Sequence, residues 1–436
     1  MKTFKKHVSI ESLLDKIRNK FSKISNHVTS RSKISDTDCL MSALAMFQLK
    51  SPSLLDFDEK VHDCEAVNNN IKNLYKVTNV PSDTYMRERL DEIEPNLLRR
   101  AFCSVFTAIQ RQKILERYEY YEKHYLVAID ATGYFSSHTI HCDSCCEKNH
   151  KDGSKTYHHN MLGAVLVHPD EKTVIPLAPE AMLKQDGYKK NDCEINAAKR
   201  LLPAIRAEHP HLKIIIVEDA LYGNAPHINM LKTLNMRYIV GVKPDNHEYL
   251  FEAINAVKLQ EHIEKDKGVT HKYRWLNNVI LNDTNQECRV NFLEYEEHSA
   301  NGKLQKFTWI TDLELTTQTI SLVMRGGRAR WHIENETFNT LKNQGYQFEH
   351  GFGHGYKHLS TVFAMLMFLA FLVDQVQETC CEFFQKALKK IKRKKYLWEK
   401  MRTIFNMFLL PSWQEFYEIL AQTIKPIPLS VVTNSS

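Results

Sequence analysis

Tyr125-Leu126-Val127-Ala128-Ile129-Asp130 and Ile214-Ile215-Ile216-Val217-Glu218-Asp219 are the two stretches that decide how this chain folds. Each is a short apolar run, rich in β-branched residues, that stops on an aspartate: the pattern of a buried strand. A carboxylate at the C-terminal end of such a strand is held rigidly and faces the crevice where open α/β sheets bind ligands. A third acid, Glu334, lies in Arg330-Trp331-His332-Ile333-Glu334, at the start of a helical pattern. Three carboxylates converging on one point would hold divalent cations, because hard Mg2+ prefers oxygen ligands. The substrate suited to a pair of such ions is a phosphodiester, whose attacking and leaving oxygens they stabilise. The plainer reading of an aspartate that ends a strand is a cap on the next turn. Two of them in matching settings favour metal ligation, and Glu218, beside Asp219, would point to the opposite face.

Strand patterns around these runs recur at 161–168, 173–177 and 238–242, and helical patterns at 194–208 and 225–234. Strands first, then alternating helix and strand, specify a mixed sheet covered by helices. Upstream, apolar residues at helical spacing follow Ser9, a plausible N-cap, and Pro81-Ser82 opens a further helix. Residues 1–118 therefore read as a helical N-terminal domain. It serves packing, or it grips DNA ends through Arg87, Arg89, Arg99, Arg100 and Arg111. Residues 246–315 carry Trp275, Val290, Phe292, Tyr295, Trp309 and Ile310 among Asn, Asp and Gly, a β-rich insertion. The expected organisation is completed by a first core part at 119–245, a third acidic block at 316–357 and a helical C-terminal region at 358–436.

Three further features bear on chemistry. Cys142 and Cys145, with His150, match one half of a tetrahedral Zn2+ site in a loop at 141–159. His158 or His159 would be the fourth ligand, and the other reading is an ordinary cysteine-containing loop. The densest basic run includes Lys389, Lys390, Lys392 and Arg393. It is either a solvated helix face or a grip on phosphates. Tyr222 follows Asp219 closely and is read equally as a core residue or as a neighbour of the acids.

Composition sets the bounds. The 436 residues allow more than one domain, and 43% hydrophobic with 25% charged residues is an ordinary globular balance. A net charge of +6 permits a nucleic-acid partner without demanding one. The longest apolar stretch, 362–373, is too short to cross a bilayer and reads as a buried helix. The start of the chain lacks the apolar region of a signal peptide. Ten cysteines at scattered spacings suit reduced thiols in a cytosol rather than a disulfide framework.

Ile129-Asp130-Ala131-Thr132-Gly133, Val217-Glu218-Asp219-Ala220-Leu221-Tyr222-Gly223 and the block from Arg330 to Lys342 together resemble the three catalytic blocks of DDE transposases from bacterial insertion sequences. In particular they resemble the group with a Tyr-x2-Arg-x3-Glu-x6-Lys signature. The resemblance runs from about 125 to 355. It implies an RNase H-like α/β core with a mixed sheet flanked by helices. It also implies Asp130, Asp219 and Glu334 as catalytic ligands of Mg2+, with Mn2+ as a substitute; any Zn2+ at the cysteine loop would, on that loop's own reading, be structural. Arg330 and Lys342 would contact phosphates near the scissile bond. Double-stranded DNA, both transposon ends and target, would be the partner, bound by a homodimer on paired ends in a bacterial cytoplasm, with no membrane involved. The chain departs from the signature in two places. Gly327 stands at the tyrosine position, and Leu341 stands where the lysine belongs, with Lys342 one residue later. Glu336 is the rival third acid, but Glu334 stays nearer the face of Lys342. A nuclease that cuts without joining, and an inactive transposase-derived DNA-binding protein, are the alternative functions.

Overall fold

The computed structural model describes residues 8–24, 34–184 and 191–422. Six helices come first: α1 (Ile10–Phe21), α2 (Asp36–Gln48), α3 (Leu54–Asp63), α4 (Glu65–Leu74), α5 (Asp83–Asp91) and α6 (Arg99–Arg111). Ser9 caps α1 and Ser82 caps α5, each hydroxyl accepting an amide hydrogen from three residues on, as the sequence indicates. Five strands follow: β1 (Tyr125–Ser137), β2 (Cys146–Asn149), β3 (Lys155–His168), β4 (Glu171–Pro176) and β5 (Glu180–Met182). Then come α7 (Glu194–Glu208), β6 (Ile214–Glu218), α8 (Ala225–Thr233), β7 (Arg237–Gly241) and α9 (Glu248–Asn255).

The insertion supplies β8 (Gln260–Asp266), β9 (Val269–Ile280), β10 (Arg289–His298) and β11 (Leu304–Thr311). The chain closes with α10 (Ile320–Ala329), α11 (Asn339–Asn343), α12 (Leu359–Cys380), α13 (Glu382–Ile391), α14 (Lys394–Met407) and α15 (Trp413–Leu420).

β4, β3 and β1 are antiparallel neighbours, and β6 and β7 run parallel to β1 on its other side. The parallel strands are reached through α7 and α8. Three antiparallel strands followed by two parallel ones is the RNase H-like arrangement. The insertion continues this sheet. β11 pairs antiparallel with β7, placing Trp309 opposite Gly241, and β10, β9 and β8 follow outward. Tyr273, Trp275, Leu293 and Tyr295 share one buried face of these strands, and Phe292 packs on the other, against Phe251 of α9.

The helices at the two ends of the chain share one hydrophobic core with the sheet. Its axis is α12. This helix is longer than the apolar stretch that marks it in the sequence, and by length and composition it could cross a membrane; its apolar window is wholly buried in protein. α2 and α5 pack on one side of it and β4 on another. Lys50, just past α2, reaches Asp374 on α12. Its ammonium is completely buried between the Tyr346 and Trp398 rings, 4.5 and 4.1 Å from their centroids. Arg89 binds Asp36, and Arg99 binds Glu208 and the Pro179 carbonyl. Of the five N-terminal arginines, these two knit the interior rather than face outward.

Candidate active site

β1 does not stop at Asp130. It runs seven residues further, because its antiparallel partner β3 is long enough to continue the ladder out to Ser137 and Tyr157. Past Asp130 the apolar run is broken by Ala131, Thr132 and Gly133 before Tyr134 and Phe135, which hides the continuation from a search for apolar runs. Asp130 marks instead the point where β1 outruns its parallel neighbour. The β1–β6 register runs from Tyr125 opposite Ile214 to Ala128 opposite Val217. Two further steps bring Asp130 beside Asp219. There β6 ends and Asp219 caps a short 3₁₀ turn, its Oδ1 accepting from the Leu221 amide at 2.9 Å.

The Asp130 carboxylate is shared between two donors. The Ala131 amide gives its hydrogen to Oδ1 at 2.9 Å, and Arg330 Nη1 donates to Oδ2 at 2.8 Å. Burial raises the Asp130 carboxyl above the ordinary range, Arg330 opposes the rise, and the charge of Asp219 adds to it. A fourth acid belongs to this neighbourhood. Glu194, the first residue of α7, is raised by burial and by the charges of Asp130 and Asp219. The buried Tyr222 hydroxyl donates to its Oε2 at 3.5 Å. A glutamate in a first helical turn reads as an ordinary partner of the helix dipole, so nothing local in the sequence marks Glu194. Glu218 faces the other way, as alternation along a strand requires, and meets His227 Nε2 at 2.7 Å in the core.

The third block is helical but irregular. Arg330 is followed by one π turn, Ile333–Phe338, before α11 resumes. A π turn bonds i to i+5 and so takes up one extra residue. Ile333 and Phe338, five apart, both pack at Gly163, the β3 residue paired with Asp130. A Cβ on Gly163 would come within 3.0 Å of the Phe338 ring. The extra residue accounts for the displaced lysine: Lys342, one position late by count, is brought back by about one residue in phase. Its ammonium meets Glu349 at 2.8 Å. Glu334, one α-turn beyond Arg330, is exposed, while Glu336 lies in the field of His332. At the missing tyrosine, a Cβ on Gly327 would sit 2.5 Å from Trp309 Nε1, so the indole of β11 occupies that space.

The other sequence-marked groups separate. Cys142 and Cys145 come together, with their sulfurs 3.8 Å apart. His150 does not join them; its Nε2 lies 2.6 Å from Thr156 Oγ1. His159, one of the two histidines the sequence offers as a further ligand, does join them, and so does His354. Hydrogen bonding with Cys145, His159 and His354 drives the Cys142 thiol down, and the bond with Cys142 pushes Cys145 up. In the basic run, Lys390 bonds Gln422, and Lys389, Lys392 and Arg393 are exposed, with Arg393 over the Tyr396 ring.

As oxygen donors, Asp130, Asp219 and Glu194 crowd negative charge that one arginine does not balance, a donor set that suits a hard divalent cation. No curated protein matches the chain. The family model described as the transposase DDE domain matches residues 122–372, which takes in both aspartates, the insertion and the third block. With more than half of the sequence covered by that match, the chain belongs to the transposase DDE domain family.

Proposed function

We propose that this transposase cleaves DNA at the ends of a bacterial insertion sequence and joins the freed ends to target DNA. Asp130, Asp219 and Glu334 would hold Mg2+, with Mn2+ as substitute. The observation that carries the reading is the register that sets Asp130 beside Asp219 with Arg330 on the same carboxylate. When bound, the divalent ions supply positive charge to the attacking and leaving oxygens of the phosphodiester. The protein's own part is positional. β1 and β6 fix two carboxylates on a rigid sheet edge. Arg330 holds the Asp130 carboxylate and opposes the rise that burial imposes on it. The π turn presents Glu334 one helical turn from Arg330. Spacing favours Glu334 over Glu336, and so does the local company of Glu336, whose neighbour is His332.

Lys342 would reach a phosphate by exchanging it for Glu349, and the exposed Lys389, Lys392 and Arg393 would hold backbone farther from the cut. A homodimer on paired ends, acting in the cytoplasm, completes the proposal. The test uses the purified full chain and DNA carrying the repeats that flank the gene. Mg2+-dependent nicking at the repeat, followed by joining of a pre-cut 3′ end to a plasmid, is the expected result. Cutting without joining would make the protein a nuclease, and binding without cutting would make it a DNA-binding derivative.

A further inference from the structure

We infer that Cys142, Cys145, His159 and His354 bind one structural Zn2+ ion that clips the hairpin beyond the first acid to the segment that follows the third. The four side chains come from three places. Cys142 and Cys145 lie in the loop between β1 and β2, His159 is on β3, and His354 lies between α11 and α12. Their ligand atoms all lie within 4.8 Å of one another. Cys142 Sγ is 3.8 Å from Cys145 Sγ and 3.6 Å from His159 Nε2. Cys145 Sγ is 3.0 Å from His159 Nε2 and 3.4 Å from His354 Nε2. A tetrahedral Zn2+, with Zn–S about 2.3 Å and Zn–N about 2.0 Å, sets its sulfurs ~3.8 Å apart and each sulfur ~3.5 Å from each nitrogen. The observed separations scatter around those values.

The surroundings are built for a fixed centre. Both histidines present Nε2 inward. His159 is 1% exposed, and its Nδ1 lies 3.3 Å from the Tyr134 hydroxyl, which is itself 3.0 Å from Thr361 Oγ1 on α12. Such an outer partner fixes the ring and its tautomer in metal sites. The His354 ring lies against Phe135, with centroids 4.1 Å apart. His354 sits between Gly353 and Gly355, both at positive φ. A Cβ on Gly355 would come within 2.2 Å of Asp91 Oδ1. That carboxylate accepts the amides of Tyr356, Lys357, His358 and Leu359 and so pins the histidine segment to α5. Four protein ligands leave no open position, which marks the centre as structural. It is also removed from the acids: His159 is four residues along β3 from Gly163, roughly 13 Å.

The consequence is a fastening between the first and third catalytic blocks. β1 carries Asp130 into the hairpin that holds the two cysteines. The third-block helix leads through Gly345 and Gly353 to His354. Without the ion, the segment between α11 and α12 keeps its Asp91 contacts and its ring contacts with Tyr134 and Phe135 but loses the metal bridge to the hairpin.

Metal analysis of the full-length protein, purified without chelator, tests this directly. One zinc per chain is expected, unchanged in His150→Ala and lost in Cys142→Ser and His354→Ala. Protein stripped of zinc and refilled with Co2+ should show the visible absorption of a tetrahedral ion with thiolate ligands, and removal of the metal should lower Tm. If the substituted chains do not fold, the cobalt spectrum of the unsubstituted protein decides. Zinc-free protein that takes up no Co2+, a Cys142–Cys145 disulfide in its place, or zinc retained in His354→Ala would each overturn the assignment. None of these readouts requires DNA cleavage, so the zinc clip and the proposed activity fail or stand separately.

Discussion

Arg330 Nη1 lies 2.8 Å from Asp130 Oδ2, so the arginine of the third block is bonded to the acid of the first. The sequence reading gives Arg330 to a DNA phosphate; in the structure its guanidinium is engaged with a carboxylate and is largely buried. Arg330→Ala should therefore slow single-turnover cleavage by about 10²–10³-fold, the range for losing one well-placed charged donor. Its effect on DNA affinity should be small. An affinity loss that matches the rate loss would return Arg330 to the phosphate role.

The π turn leads to a ranking of the two glutamates. Glu334→Gln should abolish Mg2+-dependent cleavage and Glu336→Gln should leave most of it, with DNA binding near normal in both. If Glu336→Gln proved the more harmful variant, the register of the third block would have to shift by two residues.

The Lys50–Asp374 pair offers a test of stability away from the site. Burial lowers the Lys50 ammonium and raises the Asp374 carboxyl, and each opposes the other's shift. Lys50→Met leaves a buried carboxylate with only the Tyr346 hydroxyl and should cost about 3–5 kcal/mol in denaturant unfolding. The double variant Lys50→Met with Asp374→Leu should recover most of that loss, because two apolar side chains carry no unpaired charge. A double variant as unstable as the single one would refute this account.

His209 sets a pH dependence. Burial, and then the charges of Arg99 and Arg206, pull its imidazole down to about 4. In the unfolded chain it titrates near its ordinary value, so between about pH 6.5 and 4 the unfolded state binds the extra proton. The stability due to the neutral ring is thus complete above that window and is lost as pH falls through it. Thermal unfolding should show Tm dropping from pH 7 to pH 4, and His209→Asn should flatten the drop. Equal slopes in both proteins would mean that carboxylates alone cause the acid lability.

Neutralising Lys389, Lys392 and Arg393 together should weaken binding to every DNA sequence alike. If each holds a phosphate, the slope of log affinity against log salt should fall by about 0.9 per residue. An unchanged slope would leave these residues as a solvated surface at the junction of α13 and α14.

The mixed sheet is legible because apolar β-branched runs are local patterns, and the same runs put Asp130 and Asp219 in register. What escaped was non-local. Asp130 reads as a strand end, since the Ala-Thr-Gly that follows it breaks the apolar run and only the β3 ladder carries β1 onward. Glu194 reads as a helix-opening residue, since only tertiary packing carries α7 to the two aspartates. His354 lies more than two hundred positions from Cys145, and no spacing rule reaches it. Proximity in sequence points instead to His150, which the fold places at Thr156. The offset of Lys342 looked like a departure from the family pattern, when a single π turn absorbs it.

The pairing of β11 with β7 has a consequence for how the chain comes off the ribosome. β7 is complete at Gly241, but the strand that covers its free edge does not begin until Leu304. In the interval the nascent protein presents Tyr238, Ile239 and Val240, all buried in the finished molecule, along an unpaired row of backbone donors and acceptors. An open apolar edge of this kind invites pairing with another chain. The insertion must then be synthesised whole before its last strand closes that edge. Slow synthesis across 242–303 should accordingly raise the aggregated fraction, while the same delay placed after Thr311 should not.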